Sequence, residues 1–527
     1  MKIGSGFTLD RAGVALLILA ATMLAGAGAM GLFDTTETRF AEIAREMRVT
    51  GDYLVPRLNG VPHFHKPPLA YWATAAGLAA FGDNAWGARV PAILGSILTL
   101  AFAALAVRRR FGVLGFTPGA ASWVLGTALL FAVVGRSVAS DPYLAMSVAG
   151  FWALAPSPAA LALLGIGFLA KGPVVLALTA LPVLAAALAG REGTSLRLLG
   201  PGWGWLLCAA IALPWYLVVV ARTPGLLSYF LEAQLWKRYT TTVYHRGGPA
   251  WYFLAVLAAG MAPWSAALVA GLGRAWRERA RPEARLLAAW LVVPLIFFSF
   301  SGSKLPAYLL PCVPAAAMLA AWGLAPAGRA TRIATALLLV ALAAAGWIAG
   351  PAALGRLVGL RPVVPVSLPF AAHVALACLL YAATWALRGR AARTAVLVAL
   401  AWTAFGVALA PLDAALGSPR QLARVLEENR AADEPVIEFA RFNAGLPFYL
   451  RRQVPMLDVP PEVEFDQAFA DSSALLRRGD LATLAARHAR VWVLGPPEAT
   501  AALAQELDLR YTAIVRWRHT ALGFLAR

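Results

Sequence analysis

Runs of consecutive apolar residues, each near the length that crosses a lipid bilayer, recur along this chain with short polar breaks between them. No other feature limits its fold so strongly. A helix needs about 20 such residues to cover the hydrocarbon core. Inside that core the backbone must satisfy its own hydrogen bonds, which an α-helix does. The first run extends from Ala12 to Leu32, behind Lys2 and Arg11. Its Ala25, Gly26 and Ala27 resemble a signal cleavage site, but its length favours a retained anchor, and either choice exports the segment beyond Leu32. Further spans are read at Val90–Val107, Gly119–Gly135, Tyr143–Ala155, Ala159–Ala170, Val174–Ala189, Trp203–Ala221 and Trp251–Leu272. Others lie at Leu286–Phe300, Pro306–Ala325, Ile333–Gly350, Leu368–Leu387 and Ala395–Pro411. This predicts a polytopic α-helical membrane protein with about 13 transmembrane helices. The two runs beside Pro156, Ser157 and Pro158 are each short for a full span.

Charge supports this reading. Charged residues make up 14% of the chain and hydrophobic ones 60%, against about 25% charged in an ordinary soluble domain. That balance excludes a disordered chain, a disulfide scaffold and a conventional cytosolic enzyme. The net charge of +19 arises from 46 Lys and Arg against 27 Asp and Glu. Arginines recur in every second loop: Arg108 to Arg110, Arg191 and Arg197, Arg274 to Arg285, Arg329 and Arg332, then Arg388, Arg390 and Arg393. Such alternation marks cytoplasmic loops. It predicts a cytoplasmic N-terminus and an exported C-terminus, and it explains the basic excess without a nucleic-acid partner. All three cysteines, Cys208, Cys312 and Cys378, fall within predicted spans, so no disulfide framework is expected in the exported parts.

Beyond the last span the composition changes. The expected division is a transmembrane domain over residues 1–412, including a first exported loop over 33–89, and an exported α/β domain over 413–527. Ser418, Pro419 and Gln421 predict a capping box opening an amphipathic helix. Strands are expected at Val436–Phe439, Val491–Leu494 and Ile514–Trp517, and helices at Ala474–Ala489 and Ala499–Leu507.

The first exported loop is too long for a plain connector. Phe40, Ile43, Ala44 and Met47 recur at helical spacing. They predict an amphipathic helix on the membrane surface, with Glu42, Arg45 and Glu46 solvated or paired along its outer face. Asp34 and Glu37 stand where the first span leaves the membrane, a costly place for a carboxylate and more often a functional one. Further on, Pro67 and Pro68 prevent a helix from passing through Lys66 and fix its position.

The run from Glu37 to Ile43, followed by Gly51-Asp52, Pro56, Asn59-Gly60, His65-Lys66-Pro67-Pro68 and Tyr71-Trp72, resembles the first exported loop of bacterial lipid A aminoarabinose transferases. These are similar to protein O-mannosyltransferases and share the GT-C architecture. Asp141-Pro142, Lys171-Gly172-Pro173, Pro214-Trp215, the segment from Glu232 to Arg238, His245-Arg246 with Pro249, and Lys304-Leu305-Pro306 with Tyr308 extend the likeness in one order. The exported domain matches weakly at Leu446 to Leu450.

The resemblance implies an inverting glycosyltransferase of the inner membrane. Its donor would be a sugar on a polyprenyl phosphate, usually undecaprenyl phosphate. Its acceptor would be lipid A, another envelope glycolipid or glycan, or a protein hydroxyl. Lys66, Arg246, Lys304 and Tyr308 match positions that serve the donor phosphate. Cations there would stabilise a leaving phosphate as it gains charge. Asp34, Glu37 and Asp141 are the candidate catalytic carboxylates. The family's Asp before the motif Glu is replaced here by Thr36, so Asp34 or Glu37 would take its place. His65 stands where the family usually has Glu, and with His63 and His245 it suggests a zinc site, although no cofactor is required. The chain is expected to act as a monomer among membrane lipids. A transporter or flippase of polyprenyl-linked sugar is the alternative, but its charges would be expected near the midplane and in repeats, whereas here they gather on one side.

Overall fold

The computed structural model describes residues 2–3, 7–8, 11–190, 193–241, 247–324, 328–357, 370–408, 410, 418–458 and 474–527. Each apolar run carries helix. Among the described residues, the helices Ala85–Arg109, Pro282–Ser299 and Ala391–Ala408 and the helical stretches Ser195–Arg222 and Pro306–Leu324 are long and apolar enough to cross a bilayer. Tyr252–Gly260 and Ser265–Arg277 make a further span if counted together, bent by 114°. Other runs give shorter apolar helices, including Arg11–Leu24 and Pro158–Lys171. The chain is thus a multi-pass helical membrane protein.

Local chemistry sets several of these boundaries. Asn84 caps the Ala85–Arg109 helix by accepting from the Gly87 N–H at 2.9 Å, and Arg108 and Arg109 occupy its last turn, where cations suit the helix dipole. The run over residues 119–135 breaks at Ala128 into Pro118–Thr127 and Leu129–Val134. Close packing depends on glycine: a Cβ on Gly271 would lie 1.9 Å from the Leu319 carbonyl oxygen, and one on Gly323 would lie 2.1 Å from that of Ala267. Small residues here let the Ser265–Arg277 and Val313–Leu324 helices meet backbone to backbone. Trp152 and Trp290 stack at 5.0 Å inside the main core. The cysteines are free thiols within helical segments.

The C-terminal α/β domain carries a six-stranded mixed sheet. Its strand order is Leu475–Leu476, Met456–Leu457, Val436–Phe439, Val491–Gly495, Thr520–Ala526, Arg510–Trp517. The first four run parallel and the last two add antiparallel. The expected strands are present, and the strand over 514–517 extends back to Arg510 because it pairs with Thr520–Ala526. The expected helix over 474–489 spans only Arg478–Arg487, since Leu475 and Leu476 join the sheet. The capping box does not form as expected: the helix starts at Arg420, whose own N–H reaches the Ser418 hydroxyl at 3.3 Å. The boundary placed at residues 412 and 413 lies outside the described residues.

The first-loop helix spans Thr36–Thr50 and ends at Gly51, whose φ of +74° suits a residue without a Cβ. Its expected outer face is corrected by the structure. Glu42, Arg45 and Glu46 are all buried, because the Gly445–Leu450 helix of the C-terminal domain and the Arg57–Leu58 strand pack against this helix. Arg45 donates to both Glu42 oxygens at 2.7 Å, and Glu46 accepts from the Gly60 N–H at 2.9 Å. The Asn59 side chain donates to the Val454 carbonyl at 2.6 Å and accepts from its N–H at 2.8 Å. The Leu32 N–H donates to the Tyr449 hydroxyl at 2.7 Å. The C-terminal domain is therefore clasped to the loop that carries the candidate site.

Candidate active site

Several stretches converge on a cavity of about 550 Å³, drawing on the first loop, the break after Lys171, the segment after Tyr229 and the turn before Tyr308. Pro68, helical at φ −78° and ψ −18°, opens the Leu69–Phe81 helix, and Lys66 stands in the bend just before it, on the cavity wall. The Pro158–Lys171 helix ends at Gly172, with φ +75° and its N–H on the Phe168 carbonyl at 2.7 Å. Lys171 thus occupies a final turn, where a cation is favourable, and points into the cavity. Residues Tyr229–Lys237 form a π-helix, a wide turn frequent at functional sites. Phe230, Gln234 and Arg238, spaced four apart, all reach the same wall.

The wall combines cations with a largely apolar lining. Lys66, Lys171 and Arg238 line it together with Tyr308, beside Leu144, Val174, Leu235 and Phe298. Asp141 opens the Asp141–Leu154 helix and pairs with Lys171. The Lys171 ammonium also lies 4.7 Å from the Tyr308 ring centre. Arg238 donates to Gln234 at 2.7 Å, and Gln234 donates to the Tyr229 hydroxyl at 2.8 Å, which fixes the guanidinium. A phosphate here would meet charge-assisted donors, and an apolar chain could lie along the apolar lining.

Of the four expected phosphate residues, Lys66 and Tyr308 line this cavity. Lys304 lies behind the wall, donating to the carbonyl of Ser301, itself a lining residue, at 2.5 Å. Arg246 lies outside the described residues, as does His245. The three expected carboxylates do not gather. Asp141 adjoins the cavity through Lys171. Glu37 is held by Arg89, its Oε1 accepting from Nε at 3.0 Å and its Oε2 from Nη2 at 2.5 Å. Glu37 also takes the N–H groups of Phe33 at 3.0 Å and Val138 at 3.1 Å. Four donors thus occupy its two oxygens. Asp34 accepts from the Thr38 hydroxyl at 3.1 Å and lines a separate, smaller cleft against the C-terminal domain. Burial raises its carboxyl above the ordinary range.

His63 and His65 lie together, their ring centres 4.0 Å apart, and His65 reaches the cavity. Burial, with neighbouring Arg39 and Lys66, pushes both well below the ordinary imidazole range, so both are neutral. Neither ring nitrogen of buried His63 makes a hydrogen bond. Among the described residues no three potential ligands gather around one point. Lys171 and Arg238 are the cavity cations that site assignment from sequence misses, although both stand in motifs that carry the resemblance. Their shared wall depends on a helix break and a π-helix, which residue spacing does not reveal.

No protein-family model matches the chain. It is similar to undecaprenyl phosphate-alpha-4-amino-4-deoxy-L-arabinose arabinosyl transferase 1 from Pseudomonas fluorescens, with 32% identity over 304 residues, 55% of each chain. It is similar to the transferase of Yersinia enterocolitica, with 32% identity over 336 residues, 60% of each chain. The chain thus spans somewhat over half the length of these curated relatives. Among solved structures, that of ArnT from Cupriavidus metallidurans bound to undecaprenyl phosphate matches with a TM-score of 0.80 and 26% identity, over 98% of this chain and 97% of that one. In sequence and in fold, this chain is similar to the aminoarabinose transferases of GT-C type, the resemblance that its first long loop carries.

Proposed function

We propose that this chain transfers a sugar from undecaprenyl phosphate to an envelope acceptor such as lipid A or another glycolipid, at the outer boundary of the bacterial inner membrane. The presence of Lys66, Lys171 and Arg238 on the wall of one cavity that is otherwise largely apolar carries this reading. It offers a place for a phosphate beside a place for a prenyl chain. As the bond between the anomeric carbon and the phosphate oxygen breaks, its electron pair moves to the phosphate. The three cations stabilise that charge. The acceptor oxygen attacks the opposite face of the carbon and inverts it. An acceptor that is already an anionic phosphate needs no proton removed. For a hydroxyl acceptor, Asp141 is the carboxylate beside the cavity, and it also orients Lys171. Glu37 anchors Arg89 and takes no part in the chemistry.

The named relatives support the donor, and the cytoplasmic arginine loops support an inward N-terminus. His63, His65 and His245 are the ligand set that the chain offers a zinc ion. Metal analysis of purified protein tests that set: stoichiometric zinc supports it and a metal-free chain removes it. Purified chain supplied with radiolabelled undecaprenyl-phosphate sugar and lipid A should label the lipid. Failure with every donor and acceptor, together with uptake of the donor into reconstituted vesicles, would establish a transporter instead.

A further inference from the structure

Among the described residues, three tyrosines line the cavity, and two of them are engaged within the protein. The Tyr239 hydroxyl donates to the Phe297 carbonyl at 3.0 Å, and that of Tyr308 lies 3.4 Å from the Ser303 hydroxyl. The third, Tyr216, is half-buried, and its hydroxyl makes no hydrogen bond with any described residue. A tyrosine packed into a wall ordinarily finds a partner for its hydroxyl. Tyr216 combines the ring contacts of a core residue with a polar tip that the protein leaves unused.

The ring is fixed from three sides. Phe168, Trp215 and Phe230 meet it edge to face, with ring centres 5.5, 5.0 and 5.4 Å away and interplanar angles of 77°, 79° and 71°. They come from three elements: the Pro158–Lys171 helix, the Gly202–Arg222 helix and the Tyr229–Lys237 π-helix. Trp215 is itself pinned to the first loop, its indole N–H donating to the Leu54 carbonyl at 2.9 Å. The direction of the phenol C–O bond is therefore set before any ligand arrives, and only the hydroxyl proton is left to turn. A donor fixed in this way loses little freedom on binding.

The hydroxyl lies at the break that ends the Pro158–Lys171 helix. A Cβ on Gly172 would stand 3.5 Å from the Tyr216 oxygen, with no other atom listed closer. Gly172 follows Lys171 directly, so the phenol is beside a cation of the cavity wall. The backbone does not supply a donor in its place: the Gly172 N–H is taken by the Phe168 carbonyl at 2.7 Å, and Pro173 has none. A prenyl chain offers a hydroxyl no acceptor, whereas a phosphate offers several.

We propose that Tyr216 is a further donor-binding residue, whose hydroxyl donates a hydrogen bond to a phosphate oxygen of the polyprenyl-phosphate donor beside Lys171. The proposal rests on the transferase reading and deepens it. The cations attract the phosphate, and the phenol fixes which of its oxygens faces the helix break.

The test uses the full chain in detergent and removes only the hydroxyl, as Tyr216→Phe. Native mass spectrometry measures binding of undecaprenyl phosphate and of undecaprenol, which has the same prenyl chain without the phosphate. The variant should bind undecaprenyl phosphate about tenfold more weakly, as expected for a lost hydrogen bond to a charged group. Its binding of undecaprenol should change little. Its unfolding temperature without ligand should match wild type, because no protein partner is lost. In turnover assays KM for donor should rise and KM for acceptor should not. Unchanged affinity for undecaprenyl phosphate overturns the proposal. An equal loss with undecaprenol does the same, since the hydroxyl would then serve the prenyl chain, and so does a lowered unfolding temperature, which would reveal a partner within the protein. If binding of undecaprenyl phosphate depends on the hydroxyl but wild type transfers no sugar, the contact stands and the transferase reading falls. If wild type transfers sugar and the variant binds and turns over equally well, the contact falls and the transferase reading stands.

Discussion

Asp141 and Lys171 pair across a helix break, and the same ammonium lies 4.7 Å from the Tyr308 ring centre. Together they fix one cation of the cavity wall from two sides. Lys171→Ala should lower kcat/KM for donor by about 10²-fold, the loss typical of one donor to a developing oxyanion. Asp141→Asn should lower it less for a phosphate acceptor than for a hydroxyl acceptor. Steady-state rates with the two acceptor types check both.

Lys66→Ala should weaken the binding of undecaprenyl phosphate itself, because a phosphate contact is already made in the ground state. Binding to the sugar-free carrier, followed by native mass spectrometry, reads this without turnover. Unchanged affinity would remove Lys66 from the phosphate site.

Glu37 and Arg89 are each about 5% exposed and bridged at 2.5 Å. Removing one partner of such a buried pair costs about 3–5 kcal/mol. Glu37→Ala should therefore lower the unfolding temperature in detergent, and activity per folded molecule should persist. An inactive variant of normal stability would return Glu37 to the chemistry.

His63 and His65 are neutral in the folded chain, well below the ordinary pKa of 6.5. As pH falls through 6.5, the unfolded chain binds protons that the folded chain refuses, so stability should fall with acidification. At higher pH neither state is protonated there and the effect vanishes. His63→Gln should flatten the slope in unfolding curves measured from pH 7 downward.

Gly271 meets the Leu319 backbone too closely for a Cβ. Gly271→Ala should force the Ser265–Arg277 and Val313–Leu324 helices apart and lower stability by about 1–3 kcal/mol, as overpacking does. Gly273→Ala on the same helix, with open space at its Cβ position, should leave stability nearly unchanged. Thermal unfolding of the two variants gives the comparison.

Much of this architecture is legible in sequence because a bilayer imposes a length and a polarity on each span. Lys66 is legible too, since two prolines hold it in place. The buried faces of Glu42, Arg45 and Glu46 are not. Helical periodicity reveals one apolar stripe, and it carries no information on a second domain covering the charged side. The Thr520–Ala526 strand escapes notice for a related reason: its hairpin turns at Arg518 and His519, without the Gly, Asn or Asp that usually marks such a turn. The wall formed by Lys171 and Arg238 arises from tertiary gathering. Either residue alone reads as an ordinary cation at a helix end.

Asn59 offers Val454 the same donor and acceptor that a neighbouring strand would offer. That contact reads main chain only, while the Val454 side chain is buried in the core of the C-terminal domain. The contact also acts as a fulcrum. The loop from Asn59 leads directly to Lys66, so any tilt of the C-terminal domain would be levered into the wall of the cavity.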